Sequence, residues 1–189
     1  MPSPQEKYYT LADVLAWDDQ ERWELISGVP VMMARPVRIH QKVSGELFGQ
    51  LYEYLKGKNG EVYSAQFAVR LFEQENDTPE NVSTMVEPDI SVICDPSKLD
   101  DIGCKGAPDL IIEVLSPSTQ QHDKVTKFNL YASAGVREYW IIDPDFKTAL
   151  SFILENGHYA AKEFGTAIDQ MKVNVLEDCV IDLSQVFGE

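Results

Sequence analysis

Cysteine and histidine are scarce in this 189-residue sequence, which has three of each. The cysteines are odd in number and form no C-x-x-C pair, which argues against both a disulfide framework and a cysteine zinc site. The histidines show neither H-x-x-x-H nor H-E-x-x-H spacing, so a zinc hydrolase is disfavoured. Any metal that this chain binds must therefore be held by carboxylates.

The sequence also lacks a long apolar run at its start. Residues 1–9 contain Pro, Glu and Lys, and they carry neither the apolar stretch of a signal peptide nor a membrane span. We therefore expect a soluble cytoplasmic protein with no membrane contact. With 44% apolar and 10% aromatic residues, a chain of this length can bury one sizeable core, so we expect a single domain over residues 1–189.

Basic residues are few: the sequence has 16 Lys and Arg but 31 Asp and Glu, and its net charge is −15. Non-specific nucleic-acid binding depends on cations that neutralise phosphates, so this balance argues against a general DNA coat. It does not exclude a catalyst that meets its substrate through bound cations and a local basic patch. Arg35, Arg38, His40 and Lys42 form such a patch, and both phosphate contact and a solvated connector fit it.

Apolar periodicity predicts a mixed α/β fold. A helix opened by a Thr10 cap comes first, and a hairpin and an amphipathic helix follow. Near-continuous apolar strands indicate a sheet covered by helices on both faces, and a strand–helix–strand unit whose helix stops at Gly135 predicts a parallel crossover. The predicted helices are residues 10–17, 40–56 and 116–134, and the predicted strands are residues 22–26, 29–34, 67–72, 88–94, 109–115, 138–143, 148–154 and 159–164.

Glu113 interrupts the apolar strand at residues 109–115. Burying an unpaired charge is costly, so this carboxylate needs a partner. Asp89 stands beside the core run of the preceding strand. Two carboxylates on neighbouring strands predict a site for a hard cation, Mg²⁺ or Mn²⁺, because such a cation takes one or two carboxylates, keeps waters and accepts phosphate oxygens.

The helix after Glu113 carries Asp123, Lys127 and Tyr131 four residues apart, hence on one stripe. If this stripe faces the strand ends, the Lys127 ammonium can reach the metal site and orient water or stabilise phosphate charge. The opposite face, with Val125 and Phe128, would then pack on the sheet. Asp123 and Lys127 are equally well spaced for a surface ion pair, and the sequence leaves both interpretations open.

Several motifs together resemble a known family. They are Glu-Pro-Asp-Ile at residues 87–90, Pro-Asp-Leu-Ile-Ile-Glu-Val-Leu-Ser-Pro-Ser-Thr at 108–119, Gly-Val at 135–136 and Glu-Tyr-Trp-Ile-Ile-Asp-Pro at 138–144. The sequence is similar over most of its length to the Uma-type family of restriction-endonuclease-like proteins, in the PD-(D/E)xK nuclease superfamily. The resemblance implies a restriction-endonuclease-like core, in which Asp89 is the acid of the first motif and Glu113 the acid of the second.

One position departs from the superfamily pattern, because Leu115 stands where the lysine is normally found, two residues after the second acid. The resemblance offers Lys127 as a lysine that has migrated to the following helix. It also places Glu24 and His40 near the site, Glu24 as an outer metal ligand and His40 as a phosphate contact or proton shuttle. The plainer alternatives are that Glu24 is an acid on the polar face of the hairpin and that His40 simply lies in the first turn of its helix.

The sequence offers interpretations for three further residues. Asp109 either holds a helix N-terminus or a metal-bound water, or it caps a loop at the start of its strand. Tyr131 and Trp140 are interpreted as packing residues.

The sequence therefore predicts a Mg²⁺- or Mn²⁺-dependent endonuclease that hydrolyses nucleic acid, DNA rather than RNA. Asp89, Glu113 and the Val114 carbonyl hold the metal, and Lys127 positions the attacking water. A catalytically silent module that binds a protein or dimerises is the alternative, favoured by the net charge and by Leu115. A phosphohydrolase acting on nucleotides is a third. A symmetric homodimer is compatible with the sequence, which indicates no interface.

Overall fold

A computed structural model of the chain describes residues 7–18, 21–116 and 122–188. The described chain contains short strands and a few helices. We number strands and α-helices separately in chain order. They are α1 (Leu11–Leu15), β1 (Trp23–Ile26), β2 (Val29–Met32), α2 (Arg38–Leu55), β3 (Glu61–Ser64), β4 (Ala68–Arg70), β5 (Ile90–Ile93), a 3₁₀ helix (Pro96–Lys98), β6 (Gly103–Lys105), β7 (Leu110–Val114), a π-helix (His122–Lys127), α3 (Phe128–Ala134), β8 (Glu138–Asp143), β9 (Thr148–Glu155), β10 (His158–Thr166), β11 (Gln170–Lys172), β12 (Val180–Asp182) and α4 (Leu183–Val186).

The central sheet has six strands in the order β10-β9-β8-β7-β5-β3. The pair β7–β8 is parallel and the other pairs are antiparallel, so the predicted mixed sheet and its parallel crossover are confirmed. Every residue of β5, β7 and β8 is buried. In the antiparallel register of β5 and β7, Ile90 stands opposite Ile112, which brings the residue before β5 next to the end of β7.

Helices cover both faces of the sheet. On one face, α2 buries Val43, Leu47 and Leu51 against the alternate strand residues that include Ile112. On the other face, α3 buries Tyr131 in a cluster that includes Ile111 and Tyr139. Because strand side chains alternate, Glu113 belongs to the same face as Ile111, the one that α3 covers.

The strongly periodic elements match the sequence predictions. The Thr10 side chain caps α1 by accepting the Asp13 backbone N–H, and the hairpins β1–β2 and β9–β10 are present. Gly135 ends α3 with φ of 92°, a left-handed conformation that glycine adopts readily. None of the helices within the described ranges is long and apolar enough to cross a membrane.

The region after β7 differs from the predicted helix. Residues 117–121, the predicted helix start, lie outside the described residues, and the next turn is the π-helix. A π-helix spaces its hydrogen bonds by five residues instead of four, so the helix faces before and after it do not align. As a result Val125, which was expected to pack on the sheet, is 56% exposed, whereas Lys127 and Tyr131 are buried.

Asp109 ties together three strand ends. It lies just before β7, and its side chain accepts hydrogen bonds from the Cys94 backbone N–H after β5 (2.7 Å) and from the Arg137 guanidinium before β8 (2.8 Å). Asp109 is not among the residues that line the cavity described below. These contacts favour the structural interpretation of Asp109.

We expect Asp109→Ala to lower the free energy of unfolding by about 1–3 kcal/mol, because the partly buried Cys94 N–H is left without its acceptor. Urea denaturation of both proteins measures this. Asp101→Ala removes an exposed acid nearby and should leave stability nearly unchanged. Equal midpoints for Asp109→Ala and the parent protein would contradict the structural role.

Candidate active site

A cavity of about 650 Å³ opens beside the end of β7. Its walls come from the segment after β2, one side of α2 and the β3–β4 connection. Among the residues at its surface are five of those predicted from sequence: His40, Asp89, Glu113, Val114 and Lys127.

The Asp89 carboxylate is fixed at the edge of this cavity. Its Oδ2 accepts the Val114 backbone N–H at 2.8 Å and lies 3.0 Å from Nε2 of His40, in the first turn of α2. Within the described residues Oδ1 accepts no hydrogen bond, and the side chain is 17% exposed. Asp89 therefore presents an oxygen that is available to a ligand.

The Glu113 carboxylate lies deeper, with its side chain only 4% exposed. Its Oε1 accepts the Tyr131 hydroxyl at 2.6 Å and lies 2.9 Å from the Lys127 ammonium. Complete burial raises the pKa of Tyr131 well above its ordinary value, and the negative charges of Glu113 and Glu24 add to the rise. Tyr131 therefore stays protonated and donates its hydrogen bond to Glu113.

Lys127 joins Glu113 to Glu24. Its ammonium is 2.9 Å from each carboxylate, and both Lys127 and Glu24 are almost completely buried. Glu24, from β1, also accepts the Glu87 backbone N–H at 3.0 Å. The surface interpretation of Lys127 and the polar-face interpretation of Glu24 are therefore both wrong, since burial of each charge is made possible by the other.

The carboxylates at the cavity suit a divalent cation. Among the described residues, Asp89 and Glu113 bring hard oxygen donors to the cavity, and the Lys127 ammonium beside Glu113 is shared with Glu24. Within the described ranges no group of three or more His, Cys, Asp or Glu side chains is arranged to hold a metal. Two carboxylates with water are, however, a usual set for Mg²⁺.

The basic segment at residues 35–42 is divided by the fold. Arg35 and His40 line the cavity, whereas the Lys42 ammonium donates to the Gly188 carbonyl at the opposite end of the chain. Arg38 is exposed and lies outside the lining. The interpretation as a single phosphate-binding patch is thus supported only for Arg35 and His40.

Three residues at the site were missed from sequence. Tyr131 was interpreted as packing, although its spacing from Lys127 already placed both on one helical stripe. Ser44, four residues after His40, has its hydroxyl 3.4 Å from Nδ1 of His40. Arg22 lines the cavity and pairs with Glu87 at 2.9 Å, a contact between distant segments that no sequence signal announces.

Comparison with known families decides the relationship of this chain. The Uma2 family profile, described as "Putative restriction endonuclease", matches residues 6–184. The chain belongs to the Uma2 family. The resemblance inferred from the motifs around Asp89 and Glu113 is therefore confirmed.

Two further proteins are similar to this chain, one in sequence and one in fold. The uncharacterized protein slr1290 from Synechocystis sp. is 30% identical over 122 residues, which are 64% of this chain and 60% of that protein. The crystal structure described as that of "a putative nuclease belonging to DUF820" from Anabaena variabilis superposes with a TM-score of 0.71 at 18% identity, covering 94% of this chain and 97% of that one. The restriction-endonuclease-like fold is confirmed by that superposition.

The position that departs from the superfamily pattern has a clear location in this Uma2 chain. Leu115 is 4% exposed and packs in the cluster beneath α3, so it contributes no polar group to the cavity. The ammonium that accompanies Glu113 comes instead from Lys127, at the junction of the π-helix and α3.

We expect Lys127→Met to lower the free energy of unfolding by about 3–5 kcal/mol, because it leaves Glu24 and Glu113 buried without their cation. Thermal and urea denaturation test this. Lys105→Met is the matched control, since Lys105 is 41% exposed and only 3.5 Å from Asp100 in a solvated pair. Similar decreases in the free energy of unfolding of the two variants would contradict a stabilising role of the buried ion pairs.

Proposed function

We propose that this protein is a Mg²⁺- or Mn²⁺-dependent endonuclease that hydrolyses phosphodiester bonds of DNA. The observation that carries the proposal is the convergence of Asp89, Glu113 and Val114 at one cavity, with the Lys127 ammonium 2.9 Å from Glu113. Two acids and a lysine in this proximity are the elements expected of a restriction-endonuclease-like site. Membership of the Uma2 family supports the same reaction class.

The donor set fits the metal. Asp89, with Oδ1 unused by hydrogen bonds within the described residues, Glu113 and the Val114 carbonyl would supply hard oxygen ligands to a cation that keeps several waters. When bound, such a cation polarises a phosphate and lowers the pKa of an attacking water. Asp89 is held ready by Val114 N–H and His40, so little side-chain reorganisation is needed.

The other residues of the site have distinct roles in this proposal. Lys127 orients the attacking water and offsets the charge that develops on the phosphate. Glu24 and Tyr131 are positioning residues, since they contact Lys127 and Glu113 and not the cavity itself. His40 fixes Asp89 through Nε2, and Arg35 is available to a substrate phosphate at the mouth of the cavity.

We expect the protein to bind Mn²⁺, and Asp89→Asn and Glu113→Gln to weaken that binding at least about tenfold, since even residues behind the ligands commonly change metal affinity by this factor. Isothermal titration calorimetry measures the affinity without reference to activity. Asp101→Asn removes the same charge from the exposed surface and should bind Mn²⁺ as the parent protein does.

The same variants test hydrolysis. With Mg²⁺ or Mn²⁺, the parent protein and Asp101→Asn should cleave supercoiled plasmid or single-stranded circular DNA, and Asp89→Asn and Glu113→Gln should be slower by at least about a hundredfold. A chelator should abolish cleavage. Equal cleavage by the parent protein and both site variants would overturn the proposal.

A catalytically silent module that binds a protein or a second copy of itself is the second candidate. The net charge of −15 favours it, because a strongly acidic surface repels nucleic acid. Absence of Mn²⁺ binding at millimolar concentration, together with no cleavage, would support this candidate over the nuclease.

A further inference from the structure

We propose that the substrate enters this site as a single strand, along a track on the outer side of α2, and not as an intact duplex. The inference rests on the proposed nuclease function, since it names the form of nucleic acid that the cavity accepts. We define the track as Gln41, Gly45, Phe48, Tyr52 and Lys56, which recur every three or four residues and therefore share one helical face.

The depth of the acids is the first argument. Glu113 and Lys127 are 4% and 2% exposed, so a phosphate has to enter the cavity to meet them. A recess of about 650 Å³ has the size of pockets that hold drug-sized molecules, hence a nucleotide unit. A B-form duplex, whose major groove alone is about 12 Å wide, does not fit into it. A flexible strand can bring a phosphate to that depth.

The aromatic side chains of the track supply the second argument. Phe48 lines the cavity, and its ring stacks on Tyr52 with centroids 5.9 Å apart and planes 20° apart. Tyr52 is 52% exposed and lines a smaller recess of about 270 Å³, which also includes Lys56 and Gly60. The stacked pair thus stands between the two recesses. Tyr52 therefore offers an exposed ring on which an unpaired base can stack, and the partly buried Phe48, which packs against the core, supports that ring.

The surface of α2 beside these rings is open at two glycines. A Cβ added at Gly45 or Gly49 would meet no atom within 4 Å, so packing within the described chain does not require either glycine. Glycine in a helix interior destabilises it relative to alanine. Gly45 also lines the cavity, and its missing side chain leaves room for a ligand backbone to approach the helix.

The charges favour the same form of substrate. Among the described residues, the cationic side chains of the cavity lining are Arg22, Arg35 and Lys127, of which Arg22 is paired with Glu87 and Lys127 with two glutamates. The described lining thus offers few phosphate contacts to the densely charged backbone of a duplex. A single strand has the lower charge density, and stacking contributes to its binding without cations.

Fluorescence anisotropy with a chelator present tests the track independently of metal binding. The probes are an oligothymidylate of about 15 nucleotides, the same strand annealed to oligodeoxyadenylate, and an oligouridylate that distinguishes DNA from RNA. We expect the single strand to bind at least about tenfold more tightly than the duplex. Equal or tighter duplex binding, or no binding of any probe, would overturn the track.

Two variants locate the binding. Tyr52→Ala should weaken oligothymidylate binding about tenfold, whereas Phe146→Ala, which removes a 76% exposed ring outside both recesses, should not. Gly45→Leu should weaken binding although leucine favours helix, so its melting temperature should not fall. Unchanged affinity in both Tyr52→Ala and Gly45→Leu would refute the proposed path.

The outcomes also separate this inference from the nuclease proposal. Metal-dependent cleavage of duplex plasmid that is indifferent to Tyr52→Ala would leave the nuclease standing and overturn the track. Tight, Tyr52-dependent binding of the single strand without metal-dependent cleavage of any probe would support the track and overturn the nuclease.

Discussion

The ammonium of Lys127, buried between the carboxylates of Glu24 and Glu113, is the interaction on which the site depends. Three charges leave water together, and this is tolerable only because each has a partner at hydrogen-bonding distance. The contact joins the N-terminal hairpin, the central sheet and the helix that follows β7. The Tyr131 hydroxyl also donates to Glu113 and the Glu87 backbone N–H to Glu24, and these contacts help to hold the two carboxylates in place.

This interaction also explains why an acid is found in the middle of an apolar strand. Glu113 faces α3 with Ile111, and Lys127 reaches it from that side. Asp89 comes from the neighbouring antiparallel strand, where the register sets it beside the end of β7, and its oxygen accepts the Val114 N–H. The two acids therefore meet at one cavity although different layers support them, α3 for Glu113 and the His40 turn of α2 for Asp89.

The sequence predicted the parts of the fold that have a long apolar pattern or a residue that ends the element, such as α2, β7 and the helix end at Gly135. It missed β3, β6, β11 and β12, because each of these short strands has a single buried apolar side chain and therefore no periodic pattern. It brought Asp89, Glu113 and Lys127 together through strand position and family motifs. Whether Lys127 was buried could not be decided, because four-residue spacing fits a solvated pair equally well, and the π-helix that sets its face leaves no clear sequence signature.

The acidity of the chain and its proposed action on nucleic acid can be reconciled through the same ion pairs. The Lys127 charge is already shared by two carboxylates, and Arg22 is paired with Glu87, so neither provides a full positive charge to attract a phosphate. In the proposed mechanism Asp89 and Glu113 would hold a divalent cation, which would offset their repulsion of a phosphate deep in the cavity. In the proposal the metal would thus act at the acids, whereas the rings of α2 would bind the strand without it, and the net charge of −15 would restrain non-specific binding.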